Sequence, residues 1–153
     1  MIGPGARPGP TRPGRARLWH LAAIARILWS GAGTGKGAKA RLSDLVLLAR
    51  LVRAGRVRVL TASAGTQGFI IRDGARIHAL YTHPRARRRG IGSRLLSEAQ
   101  AGAQRLELWT GQDNRAARAF YARHGFYPAR LSNGSGNDDG LPDVQMIWER
   151  NAP

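Results

Sequence analysis

Apolar residues follow two periods along this chain, and the switches between them outline its elements. From Leu18 the period is helical: Leu21, Ile24, Ala25 and Leu28 fall at i, i+3, i+4 and i+7 and make one face. Leu45, Leu48, Ala49 and Val52 form a second such face, with Ser43 as its N-cap and Gly55 at C′. Residues 57–62, 69–72 and 76–81 are short runs rich in β-branched and aromatic side chains and predict three strands. Residues 64–68 join the first pair, and Asp73-Gly74 joins the second as a hairpin turn. The helical period returns over about residues 91–103. Residues 106–109 read as a strand, and Asp113 or Gln112 caps a helix that runs to His124 and stops at Gly125. Residues 131–141 form a polar loop, and 144–148 the last strand. The order α-α-β-β-β-α-β-α-β, with room for a short strand at each end, predicts one mixed α/β sheet domain over residues 15–153. Residues 1–14, rich in Gly, Pro and Arg, read as a flexible tail, with a short edge strand near Arg15 to Leu18.

The stretch from Ile77 to Leu96 carries the first candidate chemistry. It reads as a strand, closed by Pro84, then a basic turn, then a helix with Ile91, Leu95 and Leu96 on one face. A helix N-terminus presents unpaired N–H groups and the positive end of a dipole. Gly90 and Gly92 let an oxyanion approach that backbone, and Arg85, Arg87, Arg88 and Arg89 add positive charge, so the stretch predicts a phosphate or pyrophosphate site. A second glycine-rich segment, Gly33-Thr-Gly-Lys-Gly37, lacks Ser or Thr after its Lys and follows a helix instead of a strand. It is a connector, not a nucleotide loop.

Composition changes this picture in two places. The net charge of +16 invites a nucleic-acid partner, but 23 of the 25 basic residues are arginine and they run from Arg7 to Arg150 without forming a stripe. Compositional bias explains much of that charge, which predicts salt-sensitive affinity for polyanions and no specific nucleic-acid site. The chain has no cysteine, which excludes disulfides, a thiol nucleophile and cysteine metal ligands. His20, His78, His83 and His124 have no metal-ligand spacing, so no metal is expected. No segment has the roughly 18–20 apolar residues of a membrane helix, and no signal peptide is read. A cytoplasmic location is therefore expected.

The run from His83 to Leu96 resembles the acyl-CoA-binding motif of the GNAT family of N-acetyltransferases, Arg/Gln-x-x-Gly-x-Gly/Ala, here Arg87, Gly90 and Gly92. A second family motif lies at a matching distance: Leu108-Trp-Thr-Gly-Gln-Asp-Asn114, then Ala119-Phe-Tyr121 and His124-Gly-Phe126. The segment 133–144 resembles C-terminal segments of bacterial members. The resemblance implies a mostly antiparallel sheet whose fourth and fifth strands, here 76–81 and 106–109, run parallel and splay apart to admit the cofactor. It implies acetyl-CoA as acyl donor, as a cosubstrate, and an amine as acceptor. By the same resemblance the pyrophosphate lies on backbone N–H groups of Arg88, Arg89, Gly90, Ile91, Gly92 and Ser93, beside Arg87. The pantetheine pairs with the strand edge of Leu80, Tyr81 and Thr82, where a backbone N–H polarises the thioester oxygen. Many members carry Val where Thr82 stands. A contact through the backbone tolerates that change.

Asn114 and Tyr121, two helical turns apart, are read as sharing a face and a ligand. Tyr121 is expected to protonate the departing thiolate as general acid. A Lys-like amine must lose a proton near neutrality, because its ordinary pKa is about 10.4. Glu107 is the first candidate base; Asp138, Asp139, Asp143 and His78 are others, and a water relay needs none of them. The acid-rich residues 137–143 stand out in so basic a chain and are expected to attract a cationic amine. A longer acyl donor, a non-catalytic acyl-CoA sensor and a polyanion-binding module are the alternatives. The acceptor amine and the oligomeric state, a homodimer among the options, are left open.

Overall fold

A computed structural model describes residues 12–31, 37–137 and 139–152. The loop around Gly33–Lys36, most of the N-terminal segment and Asp138 lie outside the described residues. The elements are β1 (Gly14–Arg15), α1 (Leu21–Gly31), α2 (Ala38–Arg53), β2 (Val57–Ala62), β3 (Gly65–Asp73) and β4 (Arg76–Thr82). They continue as α3 (Ile91–Ala101), β5 (Arg105–Gly111), α4 (Arg115–Arg123), β6 (Tyr127–Ser132) and β7 (Asp143–Glu149). Short 3-10 turns precede α1 at Leu18–His20 and follow β4 at Pro84–Ala86. The seven strands are ordered β1-β2-β3-β4-β5-β7-β6. Pairing is antiparallel for β1 on β2, β2 on β3, β5 on β7 and β6 on β7; β4 on β5 is parallel, with Arg76 opposite Glu107. This is the mixed, mostly antiparallel α/β fold expected, parallel fourth and fifth strands included.

The chain packs as two compact units. The first comprises Met1–Ile71 with Ala79–Leu96, the second Arg72–His78 with Ser97–Pro153. In the first, α1 buries Ile24, Ala25 and Ile27, and α2 buries Leu48 and Val52. They share a core with Ala16, Val57, Val59, Phe69 and Ile71. Fully burying one such aliphatic or aromatic side chain is worth about 1.5–3 kcal/mol. Trp29 donates its indole N–H to Asp44 Oδ2 at 3.0 Å, and Arg41 lies over the ring at 5.1 Å, tying α1 to α2. Two expectations are corrected here. The helix starts at Ala38 with Gly37 as N-cap, and Ser43 lies inside it, donating to the Lys39 carbonyl at 3.1 Å. The edge strand lies at Gly14–Arg15, paired with Val59 and Arg58, and does not reach Leu18, which starts a 3-10 turn.

In the second unit, β5 buries Leu106 and Leu108 and β7 buries Val144, Met146 and Ile147, while Phe126 and Tyr121 are buried beside α4's C-terminus. Strand β6 was expected to be loop from Leu131 onward; it forms instead over Tyr127–Ser132, paired on β7 with a bulge between Pro128 and Arg130. Helix α3 ends two residues earlier than expected, at Ala101, and its last carbonyls are taken by Arg150. The guanidinium donates to Gln100 O, Ala101 O and Ala103 O at 2.8–3.2 Å and stacks near Trp148 at 5.8 Å. Bonds to a charged donor at a helix C-terminus outweigh ordinary ones. Arg150→Ala should therefore cost about 1–2 kcal/mol even though the side chain is exposed. Thermal unfolding measures it, and an unmoved midpoint would show the clamp to be inert.

Candidate functional site

In the first unit the predicted phosphate turn is built as follows. At the end of β4, His83 N donates to Gln67 O at 2.7 Å, and Arg85 N donates to His83 Nδ1 at 3.1 Å. Pro84–Ala86 then turns the chain, with Ala86 buried as its anchor. Arg87, Arg88, Arg89 and Gly90 are all exposed. Arg88 has φ +62° and Gly90 φ +75°, so two left-handed residues bracket Arg89. A left-handed arginine costs about 1–3 kcal/mol, and such strain gathers at ligand-binding turns. A Cβ on Gly90 would meet nothing within 4 Å, so the space in front of this backbone is open. Arg94 N donates to Gly90 O, the first bond of α3, which leaves the N–H groups of Ile91, Gly92 and Ser93 without a helical acceptor, as in any first turn. The first turn holds no acidic residue. This cradle fits an anionic group such as a pyrophosphate.

The strand edge before it is fixed through its side chains. Tyr81 stacks on Phe69 with ring centroids 5.6 Å apart, and its ring lies 3.0 Å from where a Cβ on Gly31 would stand. Its side chain is therefore spent on packing against β3 and α1.

The second unit carries the other candidates. Tyr121 is 9% exposed and its ring lies 5.2 Å from Phe120 and 5.5 Å from Phe126. Asn114 is the N-cap of α4, its Oδ1 accepting from Ala117 N at 3.1 Å. This corrects one expectation: neither Gln112 nor Asp113 is the cap. Glu107 alternates with buried Leu106 and Leu108, as expected, but accepts from Arg105 Nη1 at 2.8 Å. It lies opposite Arg76, the first residue of β4. His78 is exposed on β4. Tyr127 donates to Glu149 Oε2 at 2.9 Å, and that bond raises its phenol above the ordinary value near 10.0.

The loop between β6 and β7 is more built than its polar composition suggests. Gly134 N donates to Ser132 Oγ, Ser135 N to Asn133 Oδ1 and Leu141 N to Asp139 Oδ1, all at 3.0 Å. Asn137 Nδ2 donates to Leu141 O at 2.8 Å and to Asp143 Oδ2 at 3.2 Å. Gly134 has φ +88° and faces the Gly140 backbone too closely for any side chain. The sequence offers Gln112 only as a cap; its bonds to the β6–β7 segment are new. Its Nε2 donates to Ser132 O at 2.9 Å and Asp143 O at 3.0 Å, its N–H to Pro142 O at 3.1 Å, and its carbonyl accepts from Arg118 Nη1 at 2.9 Å. Only its position after a strand, within the motif that ends at Asn114, marks it.

Comparison with known proteins agrees with this geometry. Residues 46–128 match the model of the acetyltransferase (GNAT) domain. The chain is 37% identical over 113 residues to mycothiol acetyltransferase of Nocardioides sp., covering 72% of this chain and 36% of that protein. It thus spans about a third of that relative's length. A GNAT-family acetyltransferase from Bacillus cereus superposes with TM-score 0.76 at 19% identity, over 92% of this chain and 98% of that one. PaiA N-acetyltransferase from Thermoplasma acidophilum, solved in complex with coenzyme A, gives TM-score 0.64 at 20% identity, over 90% and 98%. At these identities the structural likeness is one of fold. The fold and the two motifs define an acetyltransferase domain. The chain belongs to the GNAT acetyltransferase family.

Proposed function

We propose that this chain is an N-acetyltransferase that moves an acetyl group from acetyl-CoA to a primary amine by direct attack. The observation that carries the reading is the turn from Arg87 to Ser93: a left-handed arginine, a left-handed glycine facing open space, and a helix start with no acid in its first turn. Acetyl-CoA, when bound, supplies the acetyl group as an activated thioester. Backbone N–H groups of Arg88 to Ser93 hold its pyrophosphate, with Arg87 and Arg89 adding charge. The backbone edge of Leu80, Tyr81 and Thr82 holds its pantetheine. Tyr121 gives its hydroxyl proton to the sulfur that departs. The assignment of these residues to one reaction rests on the family pattern. Asn114, whose side-chain oxygen caps α4, contributes through its remaining amide N–H groups or by setting the helix start.

The base is the open part. Glu107 is already held by Arg105 at the opening end of β5, which favours the reading in which a water relay removes the amine proton. Asp139 and Asp143, with their neighbours in the 137–143 segment, favour a cationic acceptor in a chain that is otherwise strongly basic.

The deciding experiment is release of free thiol from acetyl-CoA across a panel of small, polyamine-like and peptide amines. Turnover with at least one amine is the expected result, with lower KM for those carrying a second positive charge. No release with any amine, despite a thermal shift on adding acetyl-CoA, would favour the acyl-CoA sensor instead. Equal KM for neutral and cationic amines would sink the electrostatic part alone.

A further inference from the structure

We infer that Gln112 is a positioning residue that holds the β6–β7 loop and helix α4 as one body, and so sets the acceptor side of the site. Four hydrogen bonds meet at this residue. Its amide N–H₂ bridges the last carbonyl of β6, Ser132 O, and the first of β7, Asp143 O. The two chain ends of the loop are thereby pinned to one side chain. Its own N–H holds Pro142 O, the residue before β7. Its carbonyl holds Arg118, one turn into α4. Two residues further on, Asn114 caps the same helix.

The physical consequence is coupling. A loop of this length ordinarily moves independently of its scaffold, because few of its bonds reach beyond itself. Here the internal bonds made by Ser132, Asn133, Asn137 and Asp139 shape the loop. The ladder pairs of Ser132 and Asp143 and the bond from Asn137 to Asp143 Oδ2 anchor its ends on β7, and Gln112 adds a side-chain donor that joins both ends. A hydrocarbon side chain of equal length would fill the same space but leave Ser132 O and Asp143 O without that donor. Asp139 rides on this loop and Asp143 opens β7 at the carbonyl that Gln112 holds, so Gln112 shares in placing both. A substrate held about 1 Å out of place can lose a large factor in rate, so a residue that touches no substrate can still govern the acceptor step.

The kinetic arm of the test rests on the acetyltransfer reading; the exchange arm does not. Gln112→Met keeps the length and removes the donor, and Gln112→Glu keeps the shape and sets an acceptor against two carbonyls. Amide hydrogen exchange at Gly134, Ser135 and Leu141 should rise about tenfold or more in either variant. Leu108 and Met146, in strands β5 and β7, should keep their protection. KM for the best amine should rise about fivefold or more while KM for acetyl-CoA moves less than about twofold. Unchanged loop exchange would overturn the proposal, as would a rise equalled at Leu108 and Met146, which means general loosening. A loosened loop with an unmoved amine KM would also overturn it. A native chain that releases no thiol with any amine would sink the acetyltransfer reading and leave the exchange result to decide the coupling.

Discussion

Tyr121→Phe should lower kcat by about tenfold at least, and by up to about 10⁴-fold if proton delivery limits turnover, because positioned acid catalysis is worth about 10²–10⁴. The substitution removes one oxygen and keeps the ring that packs against Phe120 and Phe126. The helix and its Asn114 cap are untouched. A buried hydroxyl contributes about 0.5–1.5 kcal/mol to stability, so the variant should fold and lose only a few degrees. Tyr127 is no substitute: its hydroxyl is already donated to Glu149. If Tyr121 acts only in the transition state, kcat and kcat/KM fall together while acetyl-CoA affinity stays level. Single-turnover thiol release with saturating amine, alongside acetyl-CoA titration, measures both. An unchanged rate would leave Tyr121 as a packing residue of the α4 end and nothing more.

The sequence disclosed what apolar periodicity governs. The faces of α1 and α2, the strand at Val57–Ala62 and the alternation of Leu106 and Leu108 with Glu107 are all burial patterns, and burial is what a period reports. Strand β6 escaped because it has no such pattern. Tyr127 to Leu131 are all exposed, Pro128 interrupts the run, and pairing on β7 alone makes it a strand. The caps escaped for another reason. Ser43 and Asp113 are good capping types, but the helix starts are set by where the chain leaves the preceding segment, and Gly37 and Asn114 stand there. In the site, the Arg87–Gly92 pattern was legible because glycine spacing is a local signal. That Arg88 shares the left-handed conformation with Gly90 was not, since no rule favours arginine there. Gln112 and Arg150 were illegible because their partners lie 20 to 50 residues away in sequence. Hydrogen bonds of that span are visible only once the strands have registered.

Gly68→Ala should be the most damaging single methyl in the first unit. Gly68 lies buried in β3, opposite Leu60 on β2. A Cβ there would stand 2.9 Å from the Tyr81 carbonyl oxygen, 2.9 Å from Ile91 Cγ2 and 3.2 Å from Leu95 Cδ1. Two of the three are side chains of α3 that are themselves buried, and the third is backbone, so nothing in contact can swing aside cheaply. Glycine in a strand interior ordinarily costs about 0.5–1 kcal/mol relative to alanine, so the exchange would be favourable if there were room. Overpacking a closed core costs about 1–3 kcal/mol, which outweighs that gain and reverses its sign. A net loss near 1 kcal/mol lowers the midpoint of a chain this size by about 2–4 °C. The damage falls on both halves of the proposed cofactor grip. The clash presses on the carbonyl of Tyr81 in the strand edge and on Ile91, the first residue of α3 below the phosphate turn. Acetyl-CoA should therefore stabilise Gly68→Ala less than it stabilises the native chain, beyond the fall in the unliganded midpoint. Thermal unfolding with and without acetyl-CoA separates the two effects. An unliganded midpoint within about a degree of native would mean that α3 can move away from β3 at no cost, against the close packing that defines this unit.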